Sequence, residues 1–218
     1  MHAIIGPNGA GKTTLISQLS GALMPDSGKV SFRGRNVTRA SEHRRSHAGL
    51  ARSFQITSVF MSMTVLDNVA LAVQAHDGHS FRFWRAARGE RQLREPAMRY
   101  LEQVRLADRA DVIVHELSHG ERRQLEIAMA LATKPSLLLL DEPMAGMSQE
   151  ESLRMVDLLN SLKGDKSMLL VEHDMDAVFA LADRISVLVF GRLIACDTPQ
   201  RIRDNEAVRK AYLGEEGT

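Results

Sequence analysis

Gly6-Pro7-Asn8-Gly9-Ala10-Gly11-Lys12-Thr13-Thr14 fits the phosphate-loop pattern Gly-x-x-x-x-Gly-Lys-Ser/Thr without a mismatch. The apolar run Ala3-Ile4-Ile5 before it reads as a buried strand, and Leu15, Ile16, Leu19 and Leu23 after it fall at helical spacing. The motif therefore has the strand-loop-helix setting that its chemistry needs. Gly6, Gly9 and Gly11 let the backbone wrap closely round a phosphate chain, with Pro7, Asn8 and Ala10 between them, and the helix start points unpaired N–H groups at it. In such a loop Lys12 reaches the β- and γ-phosphates of a nucleoside triphosphate, Thr13 ligates Mg²⁺ and Thr14 touches the α-phosphate. A glycine-rich turn that only caps a helix is the plainer alternative. Position, spacing and flanks all favour the nucleotide site.

Downstream, Leu137-Leu138-Leu139-Leu140-Asp141-Glu142 reads as a buried strand running into two carboxylates at its C-terminal end, where open α/β sheets place ligands. Adjacent acids on a strand point different ways. Asp141 can then hold the Mg²⁺ hydration shell while Glu142 deprotonates an attacking water. Alone, the pair would read as a helix cap; beside a phosphate loop it reads as catalytic. Leu117-Ser118-His119-Gly120-Glu121, with Leu125, Ile127, Ala128 and Leu131 after it, fits the capping box Ser-x-x-Glu. Gly120 is a poor first-turn residue unless a ligand must approach the backbone closely, so a ligand-facing helix start competes with a simple cap.

The second half alternates: helix 120–132, strand 137–140, helix 150–162, strand 167–171, helix 175–181, strand 185–190, then a helical tail from Asp197-Thr198-Pro199 to near Leu213. This layout predicts a mainly parallel sheet. The first half adds a short antiparallel hairpin over Lys29 to Arg35, a strand over Gly49 to Gln55, and a helix from Thr64 to Gln74 capped by Thr64. From His76 to Glu116 the chain turns arginine-rich with helical periodicity, a helical insertion in which Pro96 starts or kinks a helix. Arg82, Arg85, Arg88, Arg91 and Arg94 lie beside Phe81, Phe83 and Trp84 there. A stripe of this kind could rest on lipid head groups, but period three drifts round a helix, which favours a solvated face.

Twenty-eight Lys and Arg against 27 Asp and Glu leave a net charge of +1 over 218 residues, which gives no indication of nucleic acid. The single cysteine, Cys196, excludes an internal disulfide and reads as a small core residue. His43 and His47, or His76 and His79, have helical spacing without a third ligand, so zinc is disfavoured. No apolar run is long enough to span a membrane, and no signal peptide is evident.

Five motifs in order, namely the phosphate loop, Gln55, Leu117 to Glu121, Asp141-Glu142 and His173, resemble the ATP-binding subunit of ATP-binding cassette (ABC) transporters, whose signature is Leu-Ser-Gly-Gly-Gln. The resemblance spans nearly the whole chain. It implies that Gln55 senses Mg²⁺, the attacking water and the transmembrane partner, and that His173, in Val171-Glu172-His173-Asp174, contacts the γ-phosphate. It also implies head-to-tail pairing, with a second copy or a related subunit, in which Ser118 and Gly120 bind the γ-phosphate held by the other subunit. The chain departs from the family at His119 and Glu121 in the signature, at Ser148 where an Asp is usual, and in starting five residues before the phosphate loop. Family members carry antiparallel strands there, with an aromatic that stacks on adenine, so the expectation is a shortened N-terminus that binds ATP less selectively.

The fold expected is therefore α/β: a phosphate-loop NTPase core over 1–75 and 117–218, with a mainly parallel sheet, a small antiparallel part and a helical insertion over 76–116. "FQITSVFMSMTVLDNV", "LEIAMAL", "DEPMAGM" and "AYLGEE" resemble subunits that energise uptake of branched-chain and other hydrophobic amino acids, or of amides and urea. That resemblance implies two permease subunits, an extracytoplasmic solute-binding protein acting indirectly, and a cytoplasmic position on the inner face of the membrane. A soluble cassette ATPase of DNA repair, translation or chromosome structure is the rival; such proteins usually insert a coiled coil before the signature or carry two cassettes. A phosphate-loop kinase would need neither the signature nor His173.

Overall fold

The computed structural model describes residues 1–52, 59–77 and 91–213. Gln55 and positions 81, 82, 83, 84, 85 and 88 of the arginine-aromatic stripe lie outside these described residues. Among the described residues, six strands form one sheet: β1 (His2–Ile5), β4 (Leu50–Arg52), β5 (Leu137–Asp141), β6 (Ser167–Val171), β7 (Arg184–Val189) and β8 (Arg192–Asp197). Their order is β4-β5-β6-β1-β7-β8, and every neighbouring pair is parallel except β7 and β8. Helices cover both faces, which is why the central strands are apolar runs rather than alternating ones. Leu138, Leu140, Leu170, Val171, Ile185 and Val187 are all fully buried. Burial of each such side chain contributes about 1.5–3 kcal/mol.

Around the sheet lie α1 (Lys12–Ser20), α2 (Glu42–His47), α3 (Val65–Asp77), α4 (Arg91–Gln103), α5 (His119–Ala132), α6 (Gln149–Ser161), α7 (Met175–Leu181), α8 (Pro199–Arg203) and α9 (Glu206–Leu213). The expected cap on α3 is present, the Thr64 hydroxyl accepting from the Asp67 N–H at 3.1 Å. Helices α3, α4 and α5 pack on one another. An ion pair of 2.9 Å between Arg94 and Asp67 joins α4 to α3, and Leu93, Ala97 and Leu101 turn the apolar stripe of α4 inward. Pro96 lies inside α4 rather than at its start.

Two short strands, β2 (Ser31–Phe32) and β3 (Arg35–Asn36), make the expected antiparallel hairpin. Sequence patterning missed α2 and β8. Strand β8 follows β7 through Phe190 and Gly191, whose φ angles of 46° and 73° are the paired positive values of a tight hairpin turn. Phe-Gly is not a usual signal for that turn. Cys196 lies on this edge strand and is half-buried, not in the core as its apolar neighbours suggested. Leu23, expected on the apolar face of α1, lies beyond the end of the helix and is exposed, because Gly21 adopts a left-handed conformation and stops it.

Arg45 on α2 carries a wholly buried guanidinium. It donates to the carbonyls of Gln18 and Leu19 at 2.6 and 2.7 Å, of Thr38 at 2.9 Å and of Ala40 at 3.0 Å. The last carbonyls of α1 have no intrahelical partner, so this fork closes the C-terminus of the helix that begins at the phosphate loop. Burial lowers the Arg45 pKa, with the Glu42 carboxylate opposing. Lys cannot reproduce the fork. Arg45→Lys is expected to destabilise the fold by about 2–4 kcal/mol through unpaired buried carbonyls, measured as the urea unfolding midpoint.

Candidate functional site

Parallel pairing brings the C-terminal ends of β5, β6 and β1 to one level: Asp141 is in register with Val171, and Val171 with Ile4. The residues leaving those ends are the phosphate loop, Asp141-Glu142 and Glu172-His173. They meet around an open cavity of ≈ 230 Å³ lined by Asn8, Gly9, Ala10, Gly11, Lys12, Thr13, Thr14, Glu142 and His173. Thr13 and Thr14 are exposed towards it.

The loop backbone is tightly set. A Cβ on Gly6 would fall 2.0 Å from the Leu188 carbonyl oxygen, and Gly11 sits at φ 96° as the N-cap of α1. The Gly191 N–H donates to the Ala10 carbonyl at 2.9 Å, fastening the loop to the β7–β8 turn. Lys12 is buried and donates from Nζ to the Gly6 and Pro7 carbonyls at 2.6 and 3.0 Å. A phosphate would offer that ammonium a charge-assisted hydrogen bond, stronger than one to a neutral carbonyl.

The two carboxylates part as expected. Asp141 is buried, its Oδ2 accepting from Arg52 at 2.8 Å, while Oδ1 is buried with no hydrogen-bond partner among the described residues. A buried, unpartnered carboxylate oxygen at the end of β5 suits a hard divalent cation or its bound water. Glu142 leaves the strand in a left-handed conformation, φ 49°, which directs its carboxylate to His173. Glu142 Oε1 and His173 Nε2 are 2.7 Å apart at the cavity wall.

Behind them Glu172 is almost fully buried, accepting from the Met144 N–H at 2.8 Å and the His173 N–H at 2.9 Å. Burial pushes its carboxyl pKa up; the Met144, His173 and Asp174 N–H groups oppose that shift and the Glu142 charge adds to it. Arg52 also donates to Ser17 Oγ at 3.3 Å, linking the end of β4 to α1. Neither Arg52 nor Glu172 was singled out from sequence, where each is one more charged residue beside a motif.

Ser118 and Gly120 lie apart from this cavity, at the start of α5. The capping box is complete: Ser118 Oγ accepts from the Glu121 N–H at 3.2 Å and Glu121 Oε2 from the Ser118 N–H at 2.8 Å. The close approach that a glycine permits at 120 is taken by Glu151, whose Oε1 would lie 2.9 Å from a Cβ there. Glu151 also caps α6 with Ser148, accepting from its N–H and its hydroxyl at 3.0 Å each. The Ser148 N–H and hydroxyl, then the Gly120 N–H and Ser118 hydroxyl, hold the Glu151 carboxyl below its ordinary pKa.

Comparison with known proteins bears on the family and the fold. Residues 1–145 match the ABC transporter family model, and residues 192–218 match a model described as branched-chain amino acid ATP-binding cassette transporter. A high-affinity branched-chain amino acid transport ATP-binding protein, BraF of Pseudomonas aeruginosa, is 38% identical over 220 residues, covering 98% of this chain and 86% of that protein. LivG of Escherichia coli, with the same description, is 35% identical over 225 residues at 98% and 86% coverage. The crystal structure of an ATP-binding cassette of an ABC transporter in its ADP conformation superposes with a TM-score of 0.83 at 29% identity, covering 98% of this chain and 87% of that one.

The contact between Gly6 and Leu188 yields a test of how tightly the loop is fixed. Gly6→Ala must displace the β7 backbone, and a loss of about 1–3 kcal/mol in unfolding free energy is expected, measured by urea titration.

Proposed function

The chain belongs to the ABC transporter family of ATP-binding subunits and is an ATPase, and on that premise we propose that it energises uptake of branched-chain or related hydrophobic amino acids. The observation that carries the chemistry is the 2.7 Å contact between Glu142 and His173 at the wall of the phosphate-loop cavity. The match of residues 192–218 to the branched-chain amino acid cassette model supports the solute.

Members of the family work with transmembrane permeases and as paired cassettes. Among the described residues no helix is long and apolar enough to cross a membrane, and we place the subunit on the cytoplasmic face of two permeases fed by a solute-binding protein. The helical insertion over 76–116 is our candidate for the part that pushes on them.

In the proposed mechanism the N–H groups of Gly9 to Thr14 cradle the ATP phosphates and Lys12 turns from the loop carbonyls to the β- and γ-phosphates. Thr13 and Asp141, with Gln55, would hold Mg²⁺, which when bound offsets charge on the β- and γ-phosphate oxygens. Water attacks the γ-phosphorus, Glu142 takes its proton, and the bond to the ADP oxygen breaks. His173 holds the Glu142 carboxylate in place and faces the γ-phosphate. Ser118 and Gly120 bind the γ-phosphate carried by the partner cassette through the positive end of α5.

Glu142→Gln keeps shape and removes the base, so it is expected to bind ATP, lose at least about 100-fold in turnover, and accumulate dimer seen by light scattering. Adding Ser118→Arg should abolish that dimer while the monomer still binds nucleotide. Unchanged turnover in the first variant removes Glu142 from its role; equal loss of monomer binding in the second makes Ser118 only a cap. The solute is tested by uptake in a deletion strain across amino acids, urea, sugars and metals. A defect confined to hydrophobic amino acids is expected, and one confined to sugars or metals would overturn the assignment.

A further inference from the structure

We infer that Glu172 is a positioning residue for ATP hydrolysis, one buried carboxylate that ties together the two loops carrying Glu142 and His173. The inference rests on the reading of that pair given above and assigns Glu172 no chemical step of its own. Its side chain lies between the turn that follows β5 and the turn that follows β6. Oε1 accepts from Met144, two residues beyond Glu142, at 2.8 Å; Oε2 accepts from His173 itself at 2.9 Å. The Asp174 N–H also acts on the carboxylate. Both oxygens are therefore engaged by backbone donors, and a residue only 4% exposed has no route to take a proton from an attacking water.

Why this position holds a carboxylate follows from the donors around it. An apolar side chain would leave the buried Met144 N–H unpaired and release the His173 N–H from its acceptor. An amide would match one donor and set its own NH₂ against the other. A carboxylate accepts from both and from Asp174 as well. The burial that pushes its pKa up makes it a costly choice for mere packing, since an apolar residue fills space without desolvating a charge.

What the bridge secures is the short contact between Glu142 and His173. Glu142 is held at φ 49°, a conformation a non-glycine residue keeps only where its surroundings impose it. Two constraints impose it: the Glu142 N–H donates to the Val171 carbonyl at 2.8 Å, and the turn beyond is fixed through Met144 to Glu172. His173 is anchored from the same carboxylate. Loss of either bond lets the two loops separate and lengthens the 2.7 Å contact that orients the base.

The test compares wild type, Glu172→Gln and Glu172→Ala in full-length protein for kcat, KM for MgATP, MgADP affinity and melting temperature. Glu172→Gln is the decisive variant, nearly isosteric and able to fold where Ala does not. It is expected to lower kcat at least about tenfold, the rate equivalent of one lost charge-assisted hydrogen bond, with KM and MgADP affinity little changed. It should also accumulate ATP-bound dimer, as a cassette that closes without hydrolysing does. A wild-type kcat, or a loss confined to KM and MgADP affinity, overturns the inference. Glu142→Gln and His173→Ala are run beside it. If both hydrolyse ATP at the wild-type rate, the reading of the pair has failed; if they are impaired and Glu172→Gln is not, only the role of Glu172 has.

Discussion

Parallel hydrogen bonding among β5, β6 and β1 is the constraint on which this molecule depends. Parallel strands pair in register only when crossover helices return each chain to the same end of the sheet, so every C-terminal end opens on one edge. Three such ends deliver a phosphate cradle, the Glu142 carboxylate and a histidine to one cavity, with Asp141 buried at the end of β5. Any slip of β5 against β6 by one residue would exchange Asp141 with its neighbours between faces and bury the wrong carboxylate. The apolar faces of these strands resist that slip, since Leu138 and Leu140 share the core with Leu170.

Charge inside this frame is matched locally. Arg52 pairs with Asp141, Arg123 with Glu126, Arg45 with a ring of carbonyls and Glu172 with backbone N–H groups. An isolated ion in such an interior costs several kcal/mol, about as much as a large part of a domain's net stability, so each partner is structural before it is functional. The matching is not complete: among the described residues Asp141 Oδ1 and Arg52 Nε are buried without a hydrogen-bond partner.

Two of the departures from the family pattern, Glu121 and Ser148, are conservative in physical terms. A capping box accepts Glu or Gln at its third helical position, so Glu121 preserves the cap that Gln would form and changes only the charge. Ser148, where an Asp is usual, closes a capping box on α6 with Glu151. That same Glu151 carboxylate stands against Gly120, so the N-termini of α5 and α6 share one acidic side chain.

The phosphate loop, the strand into Asp141-Glu142, the cap at Ser118 and most of the alternation were legible in sequence. Each is set by local physics: fixed spacing, a run of apolar residues, or a side chain bonding three residues along its own chain. The α/β class follows from the same signals. Patterning could not register the edge strand β8, entered by a Phe-Gly turn, or the short helix α2, whose charged surface carries no apolar period. Nor could it tell that Gly6 is required by a carbonyl 182 positions away, that Arg45 closes α1, or that Glu172 joins two loops. Those are contacts between residues far apart in the chain, and a buried charge looks like a surface one until the fold brings its partner to it.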